Sequence, residues 1–244
     1  MPSIDRARAA LGQVFFQRCF YLFVALVLLL STALFLEPTP RARALLNAIN
    51  LLIAVCAVAA MGRSRRSFVV ATLLAIPAVW FQLRAFATDD ASRFLYTWIC
   101  NAGLYVVTIG YLLRYVFQRN VMTADKLYGA AAGYLMLATL WAFGYSIVGH
   151  LHPDSYAIGG TTGTPSFADL LYFSVTTLTS TGFGDIVPLA RQARALCVLE
   201  QLSGALFIAI FIARLAGVYP PATEPGDPSE PGFMRRLRER DRLQ

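Results

Sequence analysis

Six long apolar stretches, at about residues 14–36, 43–61, 67–87, 94–117, 124–149 and 192–217, dominate the sequence. Each is near the roughly 20 residues that an α-helix needs to cross a bilayer. Backbone amides in hydrocarbon find no water, so each stretch must close its own hydrogen bonds as a helix. Composition agrees, because 57% of the 244 residues are hydrophobic and only 14% are charged. A soluble domain of this length would carry about 25% charged residues. The expected fold class is an all-α membrane protein with the lipid bilayer as its surroundings. The net charge of +7 does not point to nucleic acid. The arginines gather at the ends of apolar stretches, where membrane topology puts basic flanks. Cys19, Cys56, Cys100 and Cys197 lie in or beside apolar stretches without metal or redox spacing and read as small buried apolar residues. The first stretch reads as a retained helix, because Leu34-Phe35-Leu36-Glu37-Pro38 offers no small-residue cleavage site.

The stretches carry local signals. Ile4, Ala7, Leu11, Val14 and Phe15 recur at helical spacing among Arg6 and Arg8, which predicts an interfacial helix ahead of the first span. Asn47 and Asn50 share one face of the second, which should look at another helix. Pro77 sits mid-way along the third, where a kink is expected. Gly129 and Gly133 in the fifth form a small-xxx-small face for close helix approach. The loop from Gly149 to Pro165, rich in Gly, Pro, Thr and His, reads as exposed. Ser166, with Asp169 three residues on, predicts a capped helix start. The helix that follows, about 166–179, is too short to span and must re-enter, buried in protein. Pro220–Pro231 has the composition of a disordered linker, and the chain closes on a basic stretch around Arg235–Arg240.

After that short helix comes Thr177-Leu178-Thr179-Ser180-Thr181-Gly182-Phe183-Gly184-Asp185. Gly182 and Gly184 can take positive φ without a Cβ clash. Alternating left- and right-handed residues turn successive carbonyls to one side. Four such strands around an axis would form stacked cages of oxygen that replace the water shell of a monovalent cation. One strand per chain therefore predicts a homotetramer.

Ser180-Thr181-Gly182-Phe183-Gly184-Asp185 resembles the potassium-channel selectivity filter, usually Thr-Val-Gly-Tyr-Gly-Asp. From about Leu127 to Tyr219 the chain is similar to the pore module of that family, and the plan of six helices is similar to bacterial one-pore potassium channels with four extra leading helices. The resemblance divides the chain into a four-helix region (1–118), a pore module (119–219) with a re-entrant helix and filter between helices five and six, and a cytoplasmic tail (220–244). It implies that the carbonyls of Ser180, Thr181, Gly182 and Phe183 coordinate potassium, with the Ser180 hydroxyl at the innermost site. Gly184 would shape the outer end, Thr179 and Asp185 would support the filter, and Gly204 would stand where the family often has a hinge. Potassium is the permeant ion, and no cofactor or small-molecule substrate is implied. Three departures bear on selectivity. Ser180 lacks the threonine methyl, the Thr181 hydroxyl needs a partner behind the filter, and Phe183 lacks the tyrosine hydroxyl. A weakly selective cation channel and a non-conducting membrane sensor that reuses the pore fold remain as rivals.

Glu200 is an ionisable residue inside the sixth stretch and so a functional candidate, as a brace to the short helix or in gating. The fourth stretch, Phe94 to Leu113, has no arginine at every third position and so no voltage sensor of that kind. His150 and His152 stand two apart in the outer loop without a ligand cluster. Arg214 is placed to snorkel to the interface. No catalytic motif is present, so an enzyme is not expected. The distribution of basic residues puts both termini in the cytoplasm of a cell inner (plasma) membrane and the filter at the outer mouth.

Overall fold

The structure is a computed structural model that describes residues 18–36, 39–61, 65–88, 91–118 and 123–216. The predicted interfacial helix and the tail beyond 216 lie outside the described residues. Seven helices are present: α1 (Arg18–Phe35), α2 (Pro40–Met61), α3 (Arg65–Thr88), α4 (Ala91–Val116), α5 (Ala124–Leu151), α6 (Phe167–Leu178) and α7 (Arg191–Ala216). Three short strands, β1 (Tyr156–Ile158), β2 (Thr161–Gly163) and β3 (Ile186–Pro188), complete the described fold.

Four helices, α1, α4, α5 and α7, are long and apolar enough to cross a membrane. The other two expected spans form helices, but their apolar runs are shorter, Ala44–Ala60 in α2 and Val69–Arg84 in α3. Arginines at or near the run ends, Arg41 and Arg43 in α2 and Arg65, Arg66 and Arg84 in α3, cut these runs short. Helix α3 continues through Pro77.

Helix α5 is the hub, with α1, α4, α6 and α7 all packed on it. Small residues make this possible. A Cβ at Gly129 would stand 3.4 Å from Cys19 Sγ on α1, and one at Gly133 would stand 3.7 Å from the Phe207 ring on α7. The glycine face thus admits a different helix at each of its two glycines. Thr123 caps the start of α5 by accepting from Lys126 N. Next to it, buried Asp125 accepts from Cys19 N at 3.0 Å and from the Tyr115 hydroxyl at 2.8 Å. One carboxylate therefore ties α5 to α4 and to the first turn of α1, where an anion is favoured. Of the asparagine face, Asn47 meets a helix as expected, since Gln82 Nε2 on α3 donates to Asn47 O at 2.9 Å and reaches Asn47 Oδ1 at 3.5 Å, whereas Asn50 Oδ1 is buried with no partner among the described residues.

The segment between α5 and α6 is largely exposed, as its composition predicts, with Ser155, Tyr156 and Ala157 buried, but it is not irregular. It folds as a hairpin whose two-residue turn, Gly159-Gly160, has positive φ at both positions (55° and 84°), as a tight primed turn requires. The strand after the short helix joins it, giving an antiparallel sheet in the order β2-β1-β3 with Ala157 opposite Val187. Tyr156 points inward, fully buried against Tyr145 and Phe173, and its hydroxyl donates to Tyr145 O at 3.0 Å. Burial holds the Tyr156 phenol well above its ordinary pKa, so it stays a donor. A buried aromatic anchor overrides the polar character of the neighbouring sequence. Tyr156→Phe should lower stability by about 1 kcal/mol and Tyr156→Ala by about 3–5 kcal/mol, read from thermal unfolding in detergent. Equal losses would mean that the ring contributes little beyond its hydroxyl.

Candidate functional site

The short helix α6 begins with the expected reciprocal cap. Asp169 N donates to Ser166 Oγ at 3.3 Å, and Ser166 N donates to Asp169 Oδ2 at 2.9 Å. Its last turn holds the strand that follows. Ser180 N donates to Thr177 O at 2.9 Å, while Thr181 N and Gly182 N both donate to Thr176 O, at 2.8 and 3.2 Å. Helix carbonyls that would lack partners at a C-terminus are satisfied by the amides of the next strand.

Residues 180–184 then alternate. Ser180, Gly182 and Gly184 have φ of 56°, 54° and 80°, whereas Thr181 and Phe183 between them are not left-handed. The two glycines behave as the sequence predicts. The left-handed serine was not anticipated, although its spacing of two from Gly182 was a usable signal. A non-glycine residue held there is strained by roughly 1–3 kcal/mol, and such strain collects at functional sites. Residues 179–185 are all exposed, Phe183 to 70%.

The supports come from three directions. The Thr181 hydroxyl finds its partner in Thr179 Oγ1 at 2.9 Å. Thr179 Oγ1 in turn lies 2.8 Å from Val175 O. The Phe183 ring stacks on Tyr172 of α6, with centroids 6.3 Å apart and planes 3° apart. Tyr172 thus supports Phe183 by ring contact, a partnership that sequence reasoning missed. On the outer side Gly159 N donates to Asp185 O at 2.9 Å, so the sheet clamps the strand's exit through the backbone.

Glu200 is fully buried where α5, α6 and α7 meet. Its carboxylate is bonded to the Tyr145 hydroxyl through Oε2 and to the Ser174 hydroxyl through Oε1. Ser174 Oγ also lies 2.7 Å from Ala138 O. The backbone carbonyl of Glu200 accepts from Ser203 Oγ at 2.8 Å, and Ser203 Oγ accepts from Trp141 Nε1 at 3.1 Å. This polar core joins α5, α6 and α7. It includes the short-helix hydroxyl expected as a partner, while Tyr145 and Trp141 were not foreseen.

Gly204 lies within unbroken α7. A Cβ there would collide with the backbone carbonyl oxygen of Leu178 and stand 2.9 Å from Leu178 Cδ1. The glycine lets α7 pass against the last residue of α6, a requirement separate from any hinge. The Tyr134 hydroxyl approaches the same carbonyl at 3.5 Å. His150 packs edge-on to Trp98. Among the described residues no group of three or more His, Cys, Asp or Glu is placed to hold a metal ion.

Two substitutions test this geometry. Ser174 Oγ carries one hydrogen and lies within bonding range of two acceptors, Ala138 O and Glu200 Oε1. A glutamine can donate to Ser174 and accept from Tyr145. Glu200→Gln should therefore stay within about 1 kcal/mol of the parent, while Glu200→Ala, which orphans two buried hydroxyls, should cost about 2–4 kcal/mol in thermal unfolding. Gly204→Ala should destabilise by about 1–3 kcal/mol through overpacking against a backbone atom. An unchanged melting temperature would mean that α6 and α7 separate at no cost.

Residues 132–219, from within α5 through α6, the Gly-rich strand and α7, match a protein-family model described as "Ion channel". No curated protein and no solved structure matches the chain. The match covers about a third of the sequence. Together with the apolar helices, it supports an ion channel and a multi-pass membrane protein.

Proposed function

We propose that four copies of this chain form a potassium-selective channel that conducts the ion passively along a central axis. The observation that carries this reading is the alternating backbone at Ser180, Gly182 and Gly184 on an exposed strand held by the end of α6. Such alternation aims successive carbonyls at one axis, and only further strands around that axis complete an oxygen cage. The carbonyls of Ser180, Thr181, Gly182 and Phe183 are the ion ligands, with the Ser180 hydroxyl innermost. Gly184 shapes the outer end. Thr179 and Asp185 support the strand, Glu200 braces the helices behind it, and Gly204 sets the approach of α7 as well as offering a hinge.

The bare surface of α7 supports assembly. Val198, Leu199, Leu202, Leu206, Ile208 and Ile212 are exposed in the single chain. A helix apolar all round needs lipid on one side and protein on the other. In this reading 119–219 is the pore module, the four leading helices are its scaffold, and both termini are cytoplasmic in an inner membrane with six crossings.

A weakly selective cation pore is the second reading. It is favoured by Phe183, which is held by a ring stack and has no hydroxyl to tie the rim. Reversal potentials of the purified protein in a planar bilayer, with potassium on one side and sodium on the other, separate the two. A reversal near the potassium equilibrium potential is expected, and a reversal near zero would favour the second reading. Gly182→Ala should abolish the current, because a Cβ at φ 54° is strained by roughly 1–2 kcal/mol in every copy. Current that survives this change would sink the assignment of the strand.

A further inference from the structure

A cavity of about 290 Å³ lies at the sheet end of the molecule, where α4, α5, the hairpin and the start of α6 meet. Small-molecule clefts begin at roughly 300 Å³, so there is room for a molecule of one ring. Trp98 of α4 and Phe167 and Leu170 of α6 supply apolar walls. His150 of α5 lines the cavity as well, its ring edge-on to Trp98 with centroids 6.0 Å apart. Aromatic faces of this kind attract a cation.

The polar lining favours the same charge. Asp154 supplies a carboxylate, and among the described residues no lysine or arginine lines the cavity. Asp154 has no hydrogen bond or ion pair among the described residues. The hydroxyls of Ser146 and Ser155, also in the lining, already donate to Ala142 O and His152 O. They can still accept. An anion would be repelled by Asp154. A metal ion would find too few ligands, since no group of three or more His, Cys, Asp or Glu is placed to hold one among the described residues. An ammonium offers a donor to each of these acceptors, and an apolar ring attached to it covers the walls.

We propose that this cavity binds a small protonated amine carrying an apolar ring, with the ammonium on Asp154 and the ring against Trp98 and Phe167. An occupant joins α4 to the hairpin that clamps the exit of the Gly-rich strand. Binding needs this corner of one chain and not conduction. It is read by heat rather than by current, so its failure is separate from failure of the channel reading.

The test is isothermal titration calorimetry of the full chain in mild detergent, with the heat of micelles alone subtracted. The probe is 2-phenylethylamine, protonated at pH 7, and the comparison is its neutral analogue 2-phenylethanol. Saturable binding of one amine per subunit is expected, with the alcohol about tenfold weaker because it loses both the ion pair and the cation–π contact. Asp154 has φ 66°, which asparagine tolerates, so Asp154→Asn removes the charge and keeps the backbone. It should weaken the amine about fivefold and leave the melting temperature unchanged. Trp98→Leu should weaken the amine about threefold. Equal binding of amine and alcohol, binding indifferent to Asp154→Asn, or no heat beyond that of the micelles would overturn the proposal.

Discussion

Thr176 O accepts from two successive amides of the strand that follows α6, and the arrangement around it depends on that sharing. A helix end normally leaves carbonyls without partners. Here they are met by a strand that must turn back sharply to reach them, and the left-handed residue at Ser180 makes the turn. Once Ser180 is left-handed, glycines at 182 and 184 continue the alternation at no steric cost. The unusual backbone is thus a consequence of how the helix is ended as well as of glycine.

An arrangement of this kind keeps its geometry only if α6 is immobile. Three contacts secure it. The Ser166–Asp169 cap fixes its start. The Ser174–Glu200–Tyr145 core ties its middle to α7 and α5. Gly204 lets α7 reach its last carbonyl. A buried carboxylate is expensive unless its oxygens are satisfied. Glu200 meets that condition with hydroxyls from two helices, which also makes it specific. A shift of either helix would strand it.

The far end of the strand is held differently. Gly159 N on Asp185 O and the β1–β3 pairing clamp it to the hairpin, and Tyr156 anchors the hairpin in turn to α5. One end of the strand is set by a helix terminus and the other by a small sheet. Between them Phe183 leans on Tyr172. The helices α1 to α4 contribute at a distance. Helices α1 and α4 pack on α5, are joined to it through Asp125, and are backed by α2 and α3, so that they set the hub against which α6 and α7 are placed.

Apolar run length and glycine spacing are local properties, and they were legible in the sequence. The helices, the short capped helix, the small face of α5 and the left-handed glycines follow from them, because hydrocarbon forces backbone closure and only glycine adopts positive φ freely. The apolar runs of α2 and α3, Ala44–Ala60 and Val69–Arg84, are shorter than those of the other four expected spans, because arginines close them at or near their ends. The sheet was missed although Gly159-Gly160 marked its turn, because strands of three residues carry no usable periodicity and β3 lies almost 30 residues from its partner. The partners of Glu200, the stack of Tyr172 on Phe183 and the clash that Gly204 avoids join positions on different elements. Tertiary structure alone decided them, because a contact depends on where two helices cross, and sequence spacing along one helix says nothing about that.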